Sequence, residues 1–344
     1  MKRFITLLMI INSSLVFAQN VSEVKPIELS EEFNETIARA IQYKDSTIYK
    51  KIENFENGLS LVKSKYEKYL LIFNNLGPYY ASTEQFDKAI DVWVAANKED
   101  IFFPFEVKKN KVWPPYLSNF ANSKRFDNFI IVNDSLRKVT ALNSKAEYFV
   151  KLPDNYDAQK KYPLIIILHG GSGDNNSLVE RWNSETIRNN FISVYPHGRN
   201  AQGSFAYRYG SSGVKDMKEI YNQVISNYPI DTSIVILGGQ SNGGKMSIQL
   251  AYNEIPVCGL FLAFPTIPKD FDYNKAFGFK NRNTRVVIVS GEKDRFYPGQ
   301  QKLTKALDSA KVELRFRKYP DLGHNFPKDF TEQLNAGLIY LMTK

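Results

Sequence analysis

The chain has 344 residues, 43% of them hydrophobic and 24% charged, with a formal net charge of +9. That balance is ordinary for globular protein, and at about 100–200 residues per domain the length predicts two domains. The positive charges are scattered rather than gathered into a basic stripe with interleaved aromatics, which excludes nucleic acid as the expected partner. A single cysteine, Cys258, excludes an internal disulfide.

At the N-terminus Lys2 and Arg3 precede an apolar run from Phe4 to Phe17, interrupted at Thr6 and at residues 12–14, with Ala18 following. This order predicts a secretory signal peptide over residues 1–18, cleaved near Ala18, and an exported (periplasmic or extracellular) protein. The run is too short and too polar at its centre for a membrane anchor. No later segment reaches the ~18 consecutive apolar residues of a transmembrane span.

Residues 19–145 read as a helical domain, with helical periodicity from about Glu31 to Lys138. Helices are predicted at 36–51 and 118–132. Leu76, Gly77, Tyr80, Ala89, Trp93 and Ala96 fall at the spacing of a tetratricopeptide-like unit, which pairs two antiparallel helices. The match covers one repeat, whereas a freestanding array needs about three, so a long peptide-binding solenoid is not expected. The region is read first as a packing layer and second as a docking surface for a protein partner.

Near Ala146 the rhythm changes, and residues 146–344 read as a second domain. Tyr148, Val150 and Leu152 alternate with polar neighbours, as in a half-buried strand. Residues 162–168 form a continuous apolar run, as a strand covered on both faces must. Further strands are predicted at 191–195, 234–237, 259–264, 285–290 and 312–319. Between them Met217, Ile220, Tyr221, Val224, Ile225 and Tyr228 make a helical apolar stripe, and Phe330, Leu334, Leu338 and Leu341 make another. Strands alternating with helices predict an α/β class: a mostly parallel sheet with helices on both faces, preceded by the all-α region.

In such sheets sites form at the C-terminal ends of strands, so the residues just after each strand carry the most weight. After 162–168 come His169, Gly170 and Gly171. After 234–237 comes a Gly-x-Ser-x-Gly turn, Gly239 to Gly243 with Ser241 at its centre. After 285–290 come Gly291 and Asp294, and after 312–319 comes His324 on a glycine-containing loop. The five-residue serine pattern is weak by itself. Its coincidence with an acid and a histidine at other strand ends is not.

With these residues, the segment from about Ala146 to Lys344 resembles the α/β-hydrolase superfamily, whose chain order of nucleophile, acid and histidine is that of Ser241, Asp294 and His324. The 162–171 run and the serine turn look like secreted esterases of the feruloyl-esterase and polyhydroxybutyrate-depolymerase-like branch. Acyl-protein-thioesterase-like carboxylesterases share the serine turn. The resemblance implies a serine carboxylic-ester hydrolase working through an acyl-enzyme, with Ser241 as nucleophile, His324 as general base and Asp294 as its orienting partner. Glu292 and Asp321 are rivals for the acid, read as exposed turn charges.

Backbone N–H groups of Asn242 and of Gly170 or Gly171 would hold the oxyanion, and His169 would support that loop. His197 and Trp182 are expected at the substrate pocket, with Phe205, Tyr207 and Tyr209 as loop aromatics available for stacking. Lys245 is expected near the sheet surface or in solvent. No cofactor or metal is expected: three histidines in separate contexts do not compose a zinc site. The substrate is expected to be a small-molecule or polysaccharide-linked ester. Two alternatives stay open: a serine peptidase of the prolyl-oligopeptidase type, and a non-catalytic binding protein that uses the helical domain.

Overall fold

The computed structural model describes residues 21–43, 47–108, 111–171, 175–200, 209, 212–267 and 271–343. The expected signal peptide lies outside the described residues. Strand β1 (Val21–Glu23) comes first, followed by helices α1 (Glu31–Gln42), α2 (Ile48–Leu61), α3 (Lys65–Leu71), a π-helical turn (Ile72–Leu76), α4 (Gly77–Ser82) and α5 (Phe86–Lys98). A small antiparallel hairpin of β2 (Glu106–Lys108) and β3 (Lys111–Trp113), a 3-10 turn (Pro115–Phe120) and α6 (Lys124–Leu142) complete this part.

Two helix bounds differ from expectation. The helix predicted at 36–51 is divided between α1 and α2, because the backbone of Tyr43 turns extended after Gln42. The helix predicted at 118–132 begins only at Lys124, where Ser123 caps it: the Ser123 hydroxyl accepts from Phe126 N at 3.3 Å. Tyr80, Ala89, Trp93 and Ala96 are buried where α4 meets α5. Around Trp93 the core is made of rings, with Phe105, Phe120 and Phe129 centred 5.1, 5.1 and 5.5 Å from it. The buried amide of Asn133 accepts from Phe103 N at 3.0 Å and donates to Phe103 O at 2.8 Å, which pins the segment after α5 against α6 without leaving a polar group unpaired.

The second part alternates strands and helices. Its strands are β4 (Ala146–Lys151), β5 (Tyr162–Leu168), β6 (Ile192–Arg199), β7 (Ile230–Gln240), β8 (Gly259–Ala263), β9 (Arg285–Gly291) and β10 (Leu314–Tyr319). Its helices are α7 (Asn175–Arg181), α8 (Glu185–Asn190), α9 (Gly213–Asn227), α10 (Asn242–Asn253), α11 (Ala276–Asn281), α12 (Tyr297–Ser309) and α13 (Phe330–Met342). With β1 the strands form one eight-stranded sheet in the order β1-β4-β6-β5-β7-β8-β9-β10, parallel throughout except where β4 meets β6. Residues 21–23, expected in the helical domain, are therefore an edge of the sheet.

Alternation along the strands explains why both faces carry helices. On β5, Leu164, Ile166 and Leu168 face a core shared with Met217, Ile220 and Val224 of α9 and Leu303 and Leu307 of α12. Ile165 and Ile167 face the other core, shared with Ile187 of α8 and Leu334 and Leu338 of α13. A strand with both faces buried has no polar positions to spare, so its reactive groups stand just past its end. Arg199, closing β6, donates from Nε and Nη2 to the two carboxylate oxygens of buried Asp216 at 2.8 Å each, and from Nη1 to Ser144 O at 2.8 Å. This bidentate pair ties β6 to α9 and to the chain entering β4. Among the described residues no helix is long and apolar enough to cross a membrane.

Candidate active site

Ser241 sits between β7 and α10 with φ 52° and ψ −117°, a left-handed backbone that a side-chain-bearing residue adopts only when its surroundings enforce it. The enforcing contacts are visible. Ser241 N donates to Ala263 O at 3.1 Å, and Ser241 O accepts from Lys245 N at 3.1 Å and Thr266 N at 3.0 Å. Gly243 makes the turn sterically feasible, because a Cβ there would overlap the carbonyl oxygen of Leu168 at the end of β5. The strand-turn-helix reading of the pattern is what the backbone does, and it leaves Ser241 at the N-terminus of α10.

Three side chains meet at the strand ends. Ser241 Oγ lies 2.8 Å from His324 Nε2, and His324 Nδ1 lies 2.8 Å from Asp294 Oδ2. A carboxylate only accepts, so His324 donates from Nδ1, and in the neutral imidazole that tautomer leaves Nε2 as the acceptor facing the serine hydroxyl. Asp294 is buried, and its other oxygen, Oδ1, accepts from Phe296 N at 2.9 Å. The imidazole is gripped edge to face by Phe264 at 4.8 Å and Phe296 at 5.1 Å. The loops carrying acid and histidine are clipped together, with Lys293 N donating to Leu322 O at 3.0 Å and Glu292 N to Tyr319 O at 2.9 Å. Gly291 permits that approach, since a Cβ there would strike the Leu322 carbonyl oxygen.

The rival acids are occupied elsewhere. Glu292 accepts from Tyr297 Oη at 3.1 Å, and exposed Asp321 pairs with Lys293 at 2.8 Å.

The glycine loop after β5 lies against the serine turn. A Cβ at Gly170 would stand 3.6 Å from Ser241 Cβ, and one at Gly171 would stand 3.0 Å from Asn242 Nδ2. Asn242 is the first residue of α10, so its N–H has no acceptor within the helix. His169 is buried beneath this loop. Its Nε2 lies 2.8 Å from His197 O, its backbone N–H donates to Tyr209 Oη at 2.8 Å, and its ring stacks on Tyr209 at 4.4 Å.

Two expected pocket residues are corrected by burial. Trp182 is 0% exposed; its indole covers the bare backbone of Gly238 and meets Phe261 and Phe330 edge to face, so it packs against the sheet rather than lining an open pocket. His197 is 6% exposed and lies inside β6, which runs past the expected strand end to Arg199, with its ring against Phe149. Burial, and secondarily the neighbouring His169, pushes its pKa down to about 3, so it stays neutral. Tyr209 is taken up by His169, and Phe205 and Tyr207 lie outside the described residues. Lys245 is half-buried on the first turn of α10.

Sequence reasoning missed Thr266 and Gln300, which touch the site through hydrogen bonds to Ser241 O and Asp294 Oδ2. Thr266 follows β8, so the strand-end rule could have found it. Gln300 lies within α12, where no pattern marks it. Among the described residues no cluster of three or more His, Cys, Asp or Glu side chains is placed to hold a metal ion.

Comparison with known proteins bears on the same segment. Residues 166–335 match the family model described as an alpha/beta hydrolase domain. A probable feruloyl esterase C of Aspergillus flavus is 39% identical over 112 residues, covering 30% of this chain and 40% of that protein. A probable dipeptidyl-peptidase 5 of Aspergillus terreus is 29% identical over 114 residues, covering 30% of this chain and 16% of that protein. The chain thus spans less than half the length of either relative. Among solved structures, an uncharacterized protein from Bacillus cereus overlaps 90% of this chain and 97% of its own, at a TM-score of 0.49 and 18% identity. The mostly parallel sheet, its covering helices and the matched segment together give the chain an α/β-hydrolase fold.

Proposed function

We propose that the chain is a serine hydrolase that cleaves carboxylic esters through an acyl-enzyme on Ser241. The carrying observation is the unbroken Ser241–His324–Asp294 hydrogen-bonded line, 2.8 Å at each link, on a serine held in strained geometry at a helix N-terminus. In this reading His324 Nε2 takes the hydroxyl proton as Ser241 Oγ attacks the acyl carbon. Asp294 fixes the imidazole tautomer and balances the imidazolium that forms. The N–H of Asn242 and one from Gly170 or Gly171 receive the oxyanion, and His324 returns the proton to the leaving alkoxide. Water then repeats the sequence to release the acid.

The part-length likeness to a probable feruloyl esterase supports an ester as substrate, and the proposal takes that ester to be on a small molecule or linked to a polysaccharide. The proposal includes export on a signal peptide over 1–18 and a division into a helical domain to residue 145, apart from the edge strand at 21–23, and a catalytic domain from 146. A serine peptidase is the second reading, favoured by the likeness to a probable dipeptidyl-peptidase over the matched segment.

The test is hydrolysis of short p-nitrophenyl esters and of proline-containing peptide amides by the wild type and by Ser241→Ala. The expected outcome is Ser241-dependent ester cleavage, with a loss of about ten-thousandfold or more in kcat in the variant, and fluorophosphonate labelling of the wild type alone. Faster cleavage of the amides would select the peptidase. Equal rates for both proteins on every substrate would sink both readings.

A further inference from the structure

The buried glutamine next to the acid is the feature that the reaction steps above leave unused. Gln300 is 0% exposed in the first turns of α12. Its Nε2 donates to Asp294 Oδ2 at 3.1 Å and to Pro265 O at 3.0 Å, so both amide hydrogens are committed. Its Oε1 is buried with no hydrogen-bond partner among the described residues. A buried amide oxygen left unpaired costs stability, so an apolar side chain of the same shape would suit this position if packing were all that mattered.

What the amide does lies along its two donated bonds. Pro265 is followed by Thr266, whose N–H donates to Ser241 O at 3.0 Å and whose hydroxyl lies 3.1 Å from Asn242 Oδ1 and 3.3 Å from Ser241 O. Asp294 and Ser241 are therefore joined twice: to the Ser241 hydroxyl through the imidazole, and to the Ser241 carbonyl through Gln300, Pro265 and Thr266. We infer that Gln300 is a positioning residue for the reaction, holding Asp294 Oδ2 toward His324 and fixing the separation of acid and nucleophile along a path that bypasses the histidine. This rests on the serine-hydrolase reading above.

Two effects follow. The carboxylate is held by three donors, Phe296 N, Gln300 Nε2 and His324 Nδ1, so it cannot turn away while the imidazole carries its extra proton. The positive end of the Gln300 N–H also lies against the oxygen that faces the imidazole, and so reduces the negative potential that His324 feels. Removing it should make His324 easier to protonate and move the acid limb of the rate profile to higher pH. Charged groups on the adjoining elements, among the described residues, include Arg295, 4.8 Å over the ring of Phe296, the Lys293–Asp321 pair, Glu292 beside Tyr297 and Arg181 over Phe326; none changes in the variants proposed here.

The experiment compares the full chain with Gln300→Met, which keeps the length of the side chain and lacks its donors, and with Gln300→Glu. For Gln300→Met the expected result is a loss of about tenfold in kcat with KM within about twofold, an acid limb raised by about half a pH unit or more, and Tm close to wild type. Gln300→Glu sets a second carboxyl against buried Asp294, where the two cannot both ionise, so the pair keeps one proton and one donated hydrogen bond, and its limb should lie nearer to wild type than that of Gln300→Met. An unchanged kcat and limb would overturn the inference, as would a kcat loss that tracks a large fall in Tm with the limb unmoved. The far-downfield proton resonance of the His324–Asp294 hydrogen bond gives a reading that needs no substrate. It should shift or broaden in Gln300→Met, and its persistence unchanged would also overturn the inference. If the wild type shows no Ser241-dependent turnover, the serine-hydrolase reading fails and the positioning role falls with it, whereas Ser241-dependent turnover indifferent to Gln300→Met overturns the inference alone.

Discussion

The helical and sheet regions are stabilised by different kinds of side chain, and the difference separates what holds the molecule from what acts. The core around Trp93 is built from rings that meet at 5–6 Å, and the buried amide of Asn133 is paired with both the N–H and the carbonyl of Phe103. The sheet buries mainly aliphatic residues on one face and a mixture of aliphatic and aromatic residues on the other, and it presents its reactive side chains just past strand ends, where Ser241, Asp294 and His324 meet. All three of these side chains come from the sheet region. Damage to one region should therefore register as lost turnover, and damage to the other as lost stability.

Asp294→Asn should give the largest effect and the cleanest break between the two. The exchange keeps the volume but favours the wrong imidazole tautomer, so kcat should fall by about ten-thousandfold. Thermal unfolding should change little by comparison, which circular dichroism and ester kinetics on the same sample would check. A variant that unfolds instead of merely losing turnover would show that the acid is chiefly structural. Trp93→Ala is the mirror experiment. Removing a fully buried indole from a ring cluster should cost about 3–5 kcal/mol in denaturant unfolding. Below the unfolding transition kcat/KM should stay within about twofold of wild type. A large kcat loss in a still-folded Trp93→Ala protein would mean that the helical region shapes the site, and the separation would fail.

How much of this was legible in the sequence follows from the same contrast. Catalytic candidates were readable because each follows an apolar run long enough to betray a buried strand, and the run tells where its end must lie. Val21 to Glu23 were not readable as an edge strand, because three residues are too few for a period to show. His197 and Trp182 misled for a related reason. Burial depends on what the far side supplies, and neither the extension of β6 to Arg199 nor the bare backbone of Gly238 under the indole is written near those residues. Gln300 was invisible because a polar residue inside a helix ordinarily faces water; only the fold turns it toward Asp294.

The smallest predicted effect uses pH to sharpen the comparison, since all three histidines lie in the sheet region. His197 is held neutral by burial, with a pKa pushed from 6.5 to about 3. In the unfolded chain it takes up a proton below about pH 6.5. Between these values the unfolded state binds a proton that the folded state refuses, so unfolding becomes easier as pH falls. The stability contributed is fully present above the unfolded pKa and is lost through this window, with a slope approaching about 1.4 kcal/mol per pH unit. His197→Gln removes the titration and should flatten the difference between the two proteins' stability curves outside the window while leaving a residual slope from the carboxylates in both. Denaturant unfolding from pH 7 to pH 4 would measure it. Parallel curves for wild type and variant would show that His197 is accessible to protons in the folded state, contrary to its place inside β6. A difference confined to the window would locate the acid-sensitive element in the sheet and leave the ring-packed helices untouched by it.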